Sequence, residues 1–429
     1  MAKKGTGVCM ELKKEHFPGR EAARNLYAFL KWSALALIAG IVIGLIGTAF
    51  HFCLDGALHL RQAQPWLIWL LPAGGVVITA LYRWSGISND RGTNFVLIAV
   101  RANEKLSFKT APLIFAATVL THLFGGSAGR EGAALQLGGS LAAKFGRLLH
   151  LDEKDARILT MCGMSAAFSA LFGTPVTSAI FSMEVISVGV MYYSAIVPCV
   201  IAAVVGDQIS SLFGIAPTEF VLSGVPEASA LSVAKVALLG VLCAVLSILF
   251  CICMHQSAAL YKKLIPNKYL CAAVGGVLVA LLTLLVGSRD YNGAGMEGIA
   301  RAIAGQARPE EFALKILFTA LTLGAGFKGG EIVPAFFTGA TFGNVMGKVL
   351  GLSPSFGAGL GLVALFCGVT NCPISSLVLS VELFGAKGFG LFAVAVAVSF
   401  MLSGYYGLYS EQKIVYSKLK PEFIDKKVE

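Results

Sequence analysis

Four glutamates in this chain stand where an anion or a proton could be handled, and they come in two pairs. Glu131 lies in Gly129-Arg130-Glu131-Gly132, and Glu331 in Gly329-Gly330-Glu331-Ile332-Val333-Pro334. Glu184 and Glu382 close two near-copies of one segment, in which Pro175, Ser178, Ser182 and Glu184 recur as Pro373, Ser376, Ser380 and Glu382 at a single offset. Glycines beside Glu131 let the backbone approach a small ion, and the amides that follow it start a helix. A carboxylate there fills the positive pocket that an inorganic anion would fill. The two then compete, and a proton on Glu131 would release it, which couples proton movement to anion movement. A plainer reading stands beside this one, with Glu131 paired to Arg130 or to another arginine at a helix end.

These glutamates sit in a very apolar chain. Of its 429 residues 56% are hydrophobic and only 14% charged, where a soluble domain carries roughly a quarter charged residues. The mean hydropathy is +0.76. Runs such as Trp32 to Phe50, Val233 to Met254 and Phe389 to Leu402 approach or reach the length of about 20 residues that hydrocarbon demands. The composition therefore specifies an integral membrane protein. An ionisable side chain in that setting is a functional hypothesis by default. The 49 glycines serve close helix packing, or breaks in helices that are tolerated only beside protein or a polar cavity.

The elements that must position the glutamates follow from hydropathy and proline. A polar arm (1–28) precedes a first repeat (29–215), with spans near 32–54, 66–82, 108–125 and 155–171. A loop at 216–229 leads to a second repeat (230–404), with spans near 231–254, 270–287, 311–326 and 387–403. A short C-terminal helix and tail (405–429) would complete the chain. Between the spans lie segments too short to cross alone, Gly132–Ala143, Pro175–Val188, Pro334–Lys348 and Pro373–Phe384, three of them opening on a proline suited to a first helical turn. Short helices that begin inside the membrane point their N-terminal amides at the interior and build an anion site without a buried lysine. Duplicated units of this kind characterise membrane transporters.

The formal charge of +10 gathers at the ends, with Lys3, Lys4, Lys13, Lys14, Arg20 and Arg24 before the first span and Lys413, Lys418, Lys420, Lys426 and Lys427 after the last. The positive-inside tendency puts both termini in the cytoplasm, and no nucleic-acid partner is needed to explain the basicity. The stretch before Trp32 is too long and polar for a cleaved signal peptide. The ten cysteines fall mostly in apolar runs and read as small core residues. Cys251-Ile252-Cys253-Met254-His255 has no second ligand cluster, so no metal and no cofactor is expected.

The motifs resemble the CLC family of chloride channels and proton-coupled anion antiporters, over nearly the whole chain. The family's Gly-(Lys/Arg)-Glu-Gly-Pro signature is similar to Gly129-Arg130-Glu131-Gly132-Ala133, which implies that Glu131 is the external gating glutamate. The segment from Phe172 to Glu184 resembles the family's Phe-Asn-Ala-Pro helix at the dimer interface, and Leu408-Tyr409-Ser410 the stretch that carries an ion-coordinating tyrosine. The departures matter as much. The Gly-Ser-Gly-x-Pro signature, whose serine would coordinate the central anion, maps to Arg91-Gly92-Thr93-Asn94-Phe95-Val96, with neither that serine nor the proline. Gly-x-Phe-x-Pro appears as Gly330-Glu331-Ile332-Val333-Pro334, and the internal proton-transfer glutamate of the chloride antiporters falls at Val185. This combination resembles the fluoride branch, the bacterial fluoride/proton antiporters.

The resemblance implies an all-α integral membrane protein, a CLC-type inverted-repeat bundle with tilted and broken helices. It also implies a homodimer in the cell (inner) membrane that exports fluoride against protons. Fluoride is small and strongly hydrated, so several close donors must replace its water. Candidate donors are the Thr93 hydroxyl, the Asn94 amide, the Tyr409 phenol and the backbone around Gly132, Ile332 and Val333, with the ring edge of Phe95 as a weak one. Asn94 could instead cap a helix, Phe95 pack in the core, and Glu331 act as a structural acid. Its placement opposite Glu131 in the repeat favours gating or proton handling. Glu184 and Glu382 are as well explained by capping as by transport. His122 reads as a core residue, and Arg130 as cytoplasmic- or vestibule-facing scaffolding that attracts anions towards the pore. The alternatives are a chloride/proton antiporter or a passive anion channel of the same fold. An enzyme is disfavoured because no intramembrane zinc motif or Ser-His pair is present, and a passive scaffold would leave the paired glutamates unexplained.

Overall fold

Among the described residues, eight α-helices follow one another in each half, in matching order. The computed structural model describes residues 18–87, 91–102 and 104–429. In the first half α1 (Pro18–Ala63) leads to α2 (Leu71–Trp84), α3 (Thr93–Ala102), α4 (Thr110–Leu123), α5 (Glu131–Leu148), α6 (Glu153–Phe172), α7 (Pro175–Glu184) and α8 (Ile196–Leu212). In the second half α9 (Ala230–Leu264) leads to α10 (Lys268–Val286), α11 (Met296–Ile303), α12 (Glu311–Gly324), α13 (Ile332–Val349), α14 (Pro354–Thr370), α15 (Pro373–Phe384) and α16 (Phe389–Leu402). The partners keep similar lengths, 18 residues for both α5 and α13 and 14 for both α4 and α12. The expected all-α, inverted-repeat membrane fold is the fold observed. Helix α9 has 35 residues, about 50 Å at 1.5 Å per residue, so it must tilt if it crosses a bilayer.

Several boundaries differ from the hydropathy reading. Residues 1–17 of the expected arm lie outside the described residues, and helix is already established at Pro18. The segments expected from Gly132 and Pro334 start earlier, at Glu131 and Ile332, and run to Leu148 and Val349. At 18 residues each they are nearly long enough to cross, because α5 runs on through polar Lys144 and Arg147 and α13 gains Ile332, Val333 and Val349 at its ends. The expected C-terminal helix is absent from the described residues. In its place β2 (Lys413–Tyr416) pairs antiparallel with β3 (Phe423–Lys427), and parallel with β1 (Ser187–Val188), in the order β1-β2-β3. Ile414, Val415 and Tyr416 are β-branched or aromatic, and they fit a pleated surface better than a helix.

Glycine sets the core spacing between consecutive helices. A Cβ on Gly138 of α5 would lie 2.0 Å from the carbonyl oxygen of Gly163 on α6, and one on Gly361 of α14 would lie 2.1 Å from that of Gly339 on α13. The obstructing atom is backbone in both cases, so no side chain can yield. Gly361→Ala is accordingly expected to reduce the yield of monodisperse protein in detergent several-fold, as overpacking by even one methyl costs roughly 1–3 kcal/mol. Size-exclusion chromatography of the variant beside Gly390→Ala, where a Cβ meets open space, checks this.

The two halves are joined by a reciprocal device. Neither α7 nor α15 has a local side-chain cap. The Glu382 carboxylate, at the end of α15, accepts from Val176 N and Thr177 N at 2.8 Å each, on the first turn of α7. Glu184, at the end of α7, accepts from Ile374 N at 3.0 Å, Ser375 N at 2.8 Å and the Ser375 hydroxyl at 2.5 Å, on the first turn of α15. The helices therefore run antiparallel, each capping the other with an acid. Of the two readings of these glutamates, the geometry supports capping.

Candidate functional site

The first turns of α5 and α13 meet head to head. Gly129 and Gly330 exchange two backbone hydrogen bonds of 2.7 and 2.8 Å in an isolated antiparallel bridge. This places two sets of free helix N-terminal amides around one point, the positive pocket that spacing alone suggested. The Glu131 carboxylate occupies it. Fully buried, its Oε2 accepts from Arg130 N at 3.0 Å and from Val333 N at 3.2 Å, while Oε1 has no hydrogen-bond partner among the described residues. A Cβ at Gly129 would lie 2.3 Å from Oε2, so only glycine leaves room for the carboxylate.

The pairing of Glu131 with Arg130 does not occur. The Arg130 guanidinium instead faces His51 Nδ1 at 3.1 Å, donates to the Leu171 carbonyl at 3.0 Å and lies over the Phe172 ring. It lines a cavity of about 330 Å³ together with Arg61, His122, Arg289, Asp290 and Asn292. His122 is held as a core residue through Nδ1, which donates to the Thr118 carbonyl at 2.8 Å, while Nε2 has no partner among the described residues. A buried lysine stands close by, with no repeat or motif in the sequence to mark it. Lys315 on α12 donates to the carbonyls of Tyr291 and Gly293, at 3.1 and 2.8 Å, beneath the Phe337 ring.

Glu331 is not the repeat counterpart of Glu131. The bridge pairs Gly129 with Gly330, an offset of 201 (330 − 129), so the counterpart of Glu131 is Ile332 and that of Glu331 is Arg130. The helix starts agree, since Arg130 caps α5 and Glu331 caps α13. The two acids therefore lie one residue out of register. Glu331 is half-buried and makes no side-chain cap bond. It lies within electrostatic reach of Glu131, Lys328 and Tyr409.

The other expected ligands divide by what they already bond. The Thr93 hydroxyl donates to the Gly132 carbonyl at 3.3 Å, so its proton is committed to backbone. Gln136, one turn further along α5, donates to the same carbonyl at 3.2 Å and to Thr93 Oγ1 at 3.4 Å. A glutamine on an apolar helix was the available signal for it. Asn94 accepts from Glu411 N through Oδ1 at 3.1 Å, which leaves its NH2 as the donor end. Phe95 is partly buried against the main core. Ile332 is fully buried and its side chain adds no donor. Tyr409 is 2% exposed, yet its phenol oxygen has no partner among the described residues.

Fold and site together define an inverted-repeat membrane protein with an anion-type seat where two helix N-termini meet. Residues 87–404 match the family model described as voltage gated chloride channel. The chain is 36% identical over 395 residues to a chloride/fluoride channel protein of Pseudomonas syringae pv. tomato, covering 90% of this chain and 87% of that one. Among solved structures, a CLC-type fluoride/proton antiporter superimposes with a TM-score of 0.86 at 30% identity, covering 89% of this chain and 98% of that one. A slow cyanobacterial Cl−/H+ antiporter shares the fold at 19% identity and a TM-score of 0.74, covering 87% and 94%. The protein belongs to the CLC family of anion transporters.

Proposed function

We propose that this protein is a fluoride/proton antiporter, in which Glu131 is the gate that yields its seat to the anion when it takes up a proton. The observation that carries this reading is the Glu131 carboxylate itself, accepting amides from both halves of the molecule with one oxygen left unpartnered. A negatively charged side chain already satisfies that seat, so a small anion must displace it, and protonation weakens its hold on the two N–H groups. Glu331, within electrostatic reach of the gate, is the second proton-handling group. Tyr409, the NH2 of Asn94 and amides of the α13 first turn such as Val333 would line the path. Valine at position 185, where the chloride antiporters are expected to carry their internal glutamate, favours a proton route shared with the anion. The missing serine signature and the names of the relatives at 36% and 30% identity, both of which include fluoride, favour fluoride.

In this reading the protein is a homodimeric transporter without enzymatic chemistry. It sits in the cell membrane with both termini in the cytoplasm, and it exports fluoride on the energy of proton entry. A chloride/proton antiporter is the second reading, supported by the relative whose name couples both halides. Purified protein in proteoliposomes separates the two. Fluoride efflux followed with a selective electrode, against chloride efflux under the same proton gradient, is expected to favour fluoride at least tenfold. Equal rates would remove the fluoride assignment.

A further inference from the structure

No hydrogen bond among the described residues fixes Tyr409 at its phenol end. Its ring packs in the main core, and the turn that carries it sets where the hydroxyl lies. Residues 409–412 form this turn, closed by Gln412 N donating to the Tyr409 carbonyl at 2.9 Å. Glu411 docks it on α3, its N–H bonded to Asn94 Oδ1 at 3.1 Å and its carbonyl to Arg101 Nη1 at 2.5 Å. Gln412 anchors the other side. Its side chain is fully buried, and Nε2 donates to Val185 O at 3.0 Å and to Thr370 O at 2.9 Å, beyond the end of α7 and at the last residue of α14. Its Oε1 accepts from Asn371 Nδ2 at 3.1 Å. One neutral carboxamide thus ties the turn to both repeats with both N–H groups and its oxygen in use.

We propose that Gln412 is a positioning residue for anion transport, holding the Tyr409 hydroxyl in the anion path through the 409–412 turn. This rests on the reading of Tyr409 as an anion ligand. A group that acts only through the phenol should matter only while the phenol is present, which a double-mutant cycle tests. Gln412→Met keeps the volume and removes all three side-chain bonds. Measured as fluoride transport in proteoliposomes, it is expected to raise KM about tenfold with Vmax changed less than about threefold. Tyr409→Phe should raise KM by a similar factor, and the double variant should be no worse than Tyr409→Phe alone. If the two factors multiply, or if Gln412→Met leaves KM unchanged, the positioning role is wrong. Tyr409→Phe with wild-type KM would instead remove Tyr409 from the site, and this role of Gln412 with it. Should Gln412→Met not purify as a monodisperse protein, Asn371→Gly carries the test. Glycine tolerates the left-handed backbone there (φ 59°) while deleting the donor to Gln412 Oε1, together with the Asn371 bonds to the Tyr406 carbonyl and Lys418 Nζ. It is expected to raise KM about threefold, and only when Tyr409 is present.

Discussion

Glu131→Gln is expected to abolish proton-coupled transport, lowering the proton flux driven by a fluoride gradient by about a hundredfold or more, the range lost when a proton-transferring group is removed. The substitution is close to isosteric. The carboxamide oxygen can still accept from Arg130 N and Val333 N, which now meet the carboxylate at 3.0 and 3.2 Å, so the first turns of α5 and α13 should stay together. What disappears is the charge that competes with an anion and the ability to bind a proton. In the wild type, acidifying the side from which Glu131 is reached protonates the carboxylate, loosens its hold on the two amides and raises anion turnover. In the variant turnover should be flat over the same pH range. Simultaneous fluoride-electrode and pH-electrode records from proteoliposomes read both quantities. Proton pumping that survives in Glu131→Gln would place the coupling acid elsewhere, with Glu331 the next to test.

The parts of this architecture that were legible in the sequence are those in which side-chain chemistry repeats at fixed spacing. Pro175 with Glu184 and Pro373 with Glu382 stand at one offset because each helix needs a proline start and an acidic end for its partner. That pattern survives in the letters. The register of the gating loops does not, since the offset there is 201 rather than the 198 (373 − 175) of the later helices. Only the backbone bridge between Gly129 and Gly330 fixes it. Thr93 and Asn94 were chosen as donors from their chemistry. Which of their hydrogen bonds are already taken depends on Gly132 and Glu411, and Glu411 lies more than 300 residues away from Asn94. Gln136, Lys315, Asn371 and Gln412 went unnoticed for the same reason, because a single polar residue in an apolar stretch does not announce its partners. The C-terminal strands were hidden by basic residues that read as a soluble tail.

Glu184→Ala is expected to cost on the order of 3 kcal/mol, with a fall of several degrees in the apparent melting temperature in detergent, because it uncaps a helix inside the protein. Three donors lose their acceptor at once, the N–H groups of Ile374 and Ser375 and the Ser375 hydroxyl. The buried Ser375 donors cost about 1–3 kcal/mol each when orphaned, the Ile374 N–H, on a residue 47% exposed, costs less, and relaxation of the α15 first turn recovers part of the loss. Glu184 is 7% exposed, so water cannot easily take its place. Glu184→Gln keeps an acceptor oxygen and should lose less than half as much. Glu382→Ala, at the half-buried and more solvent-accessible end of the pair, should fall between the two. That ordering distinguishes reciprocal capping from a transport role. A proton-carrying Glu184 would make Glu184→Gln as damaging to proton flux as Glu184→Ala while leaving the melting temperature near that of the wild type. Capping predicts that the loss follows the number of satisfied amides, and that proteoliposomes holding folded Glu184→Gln still exchange anions for protons.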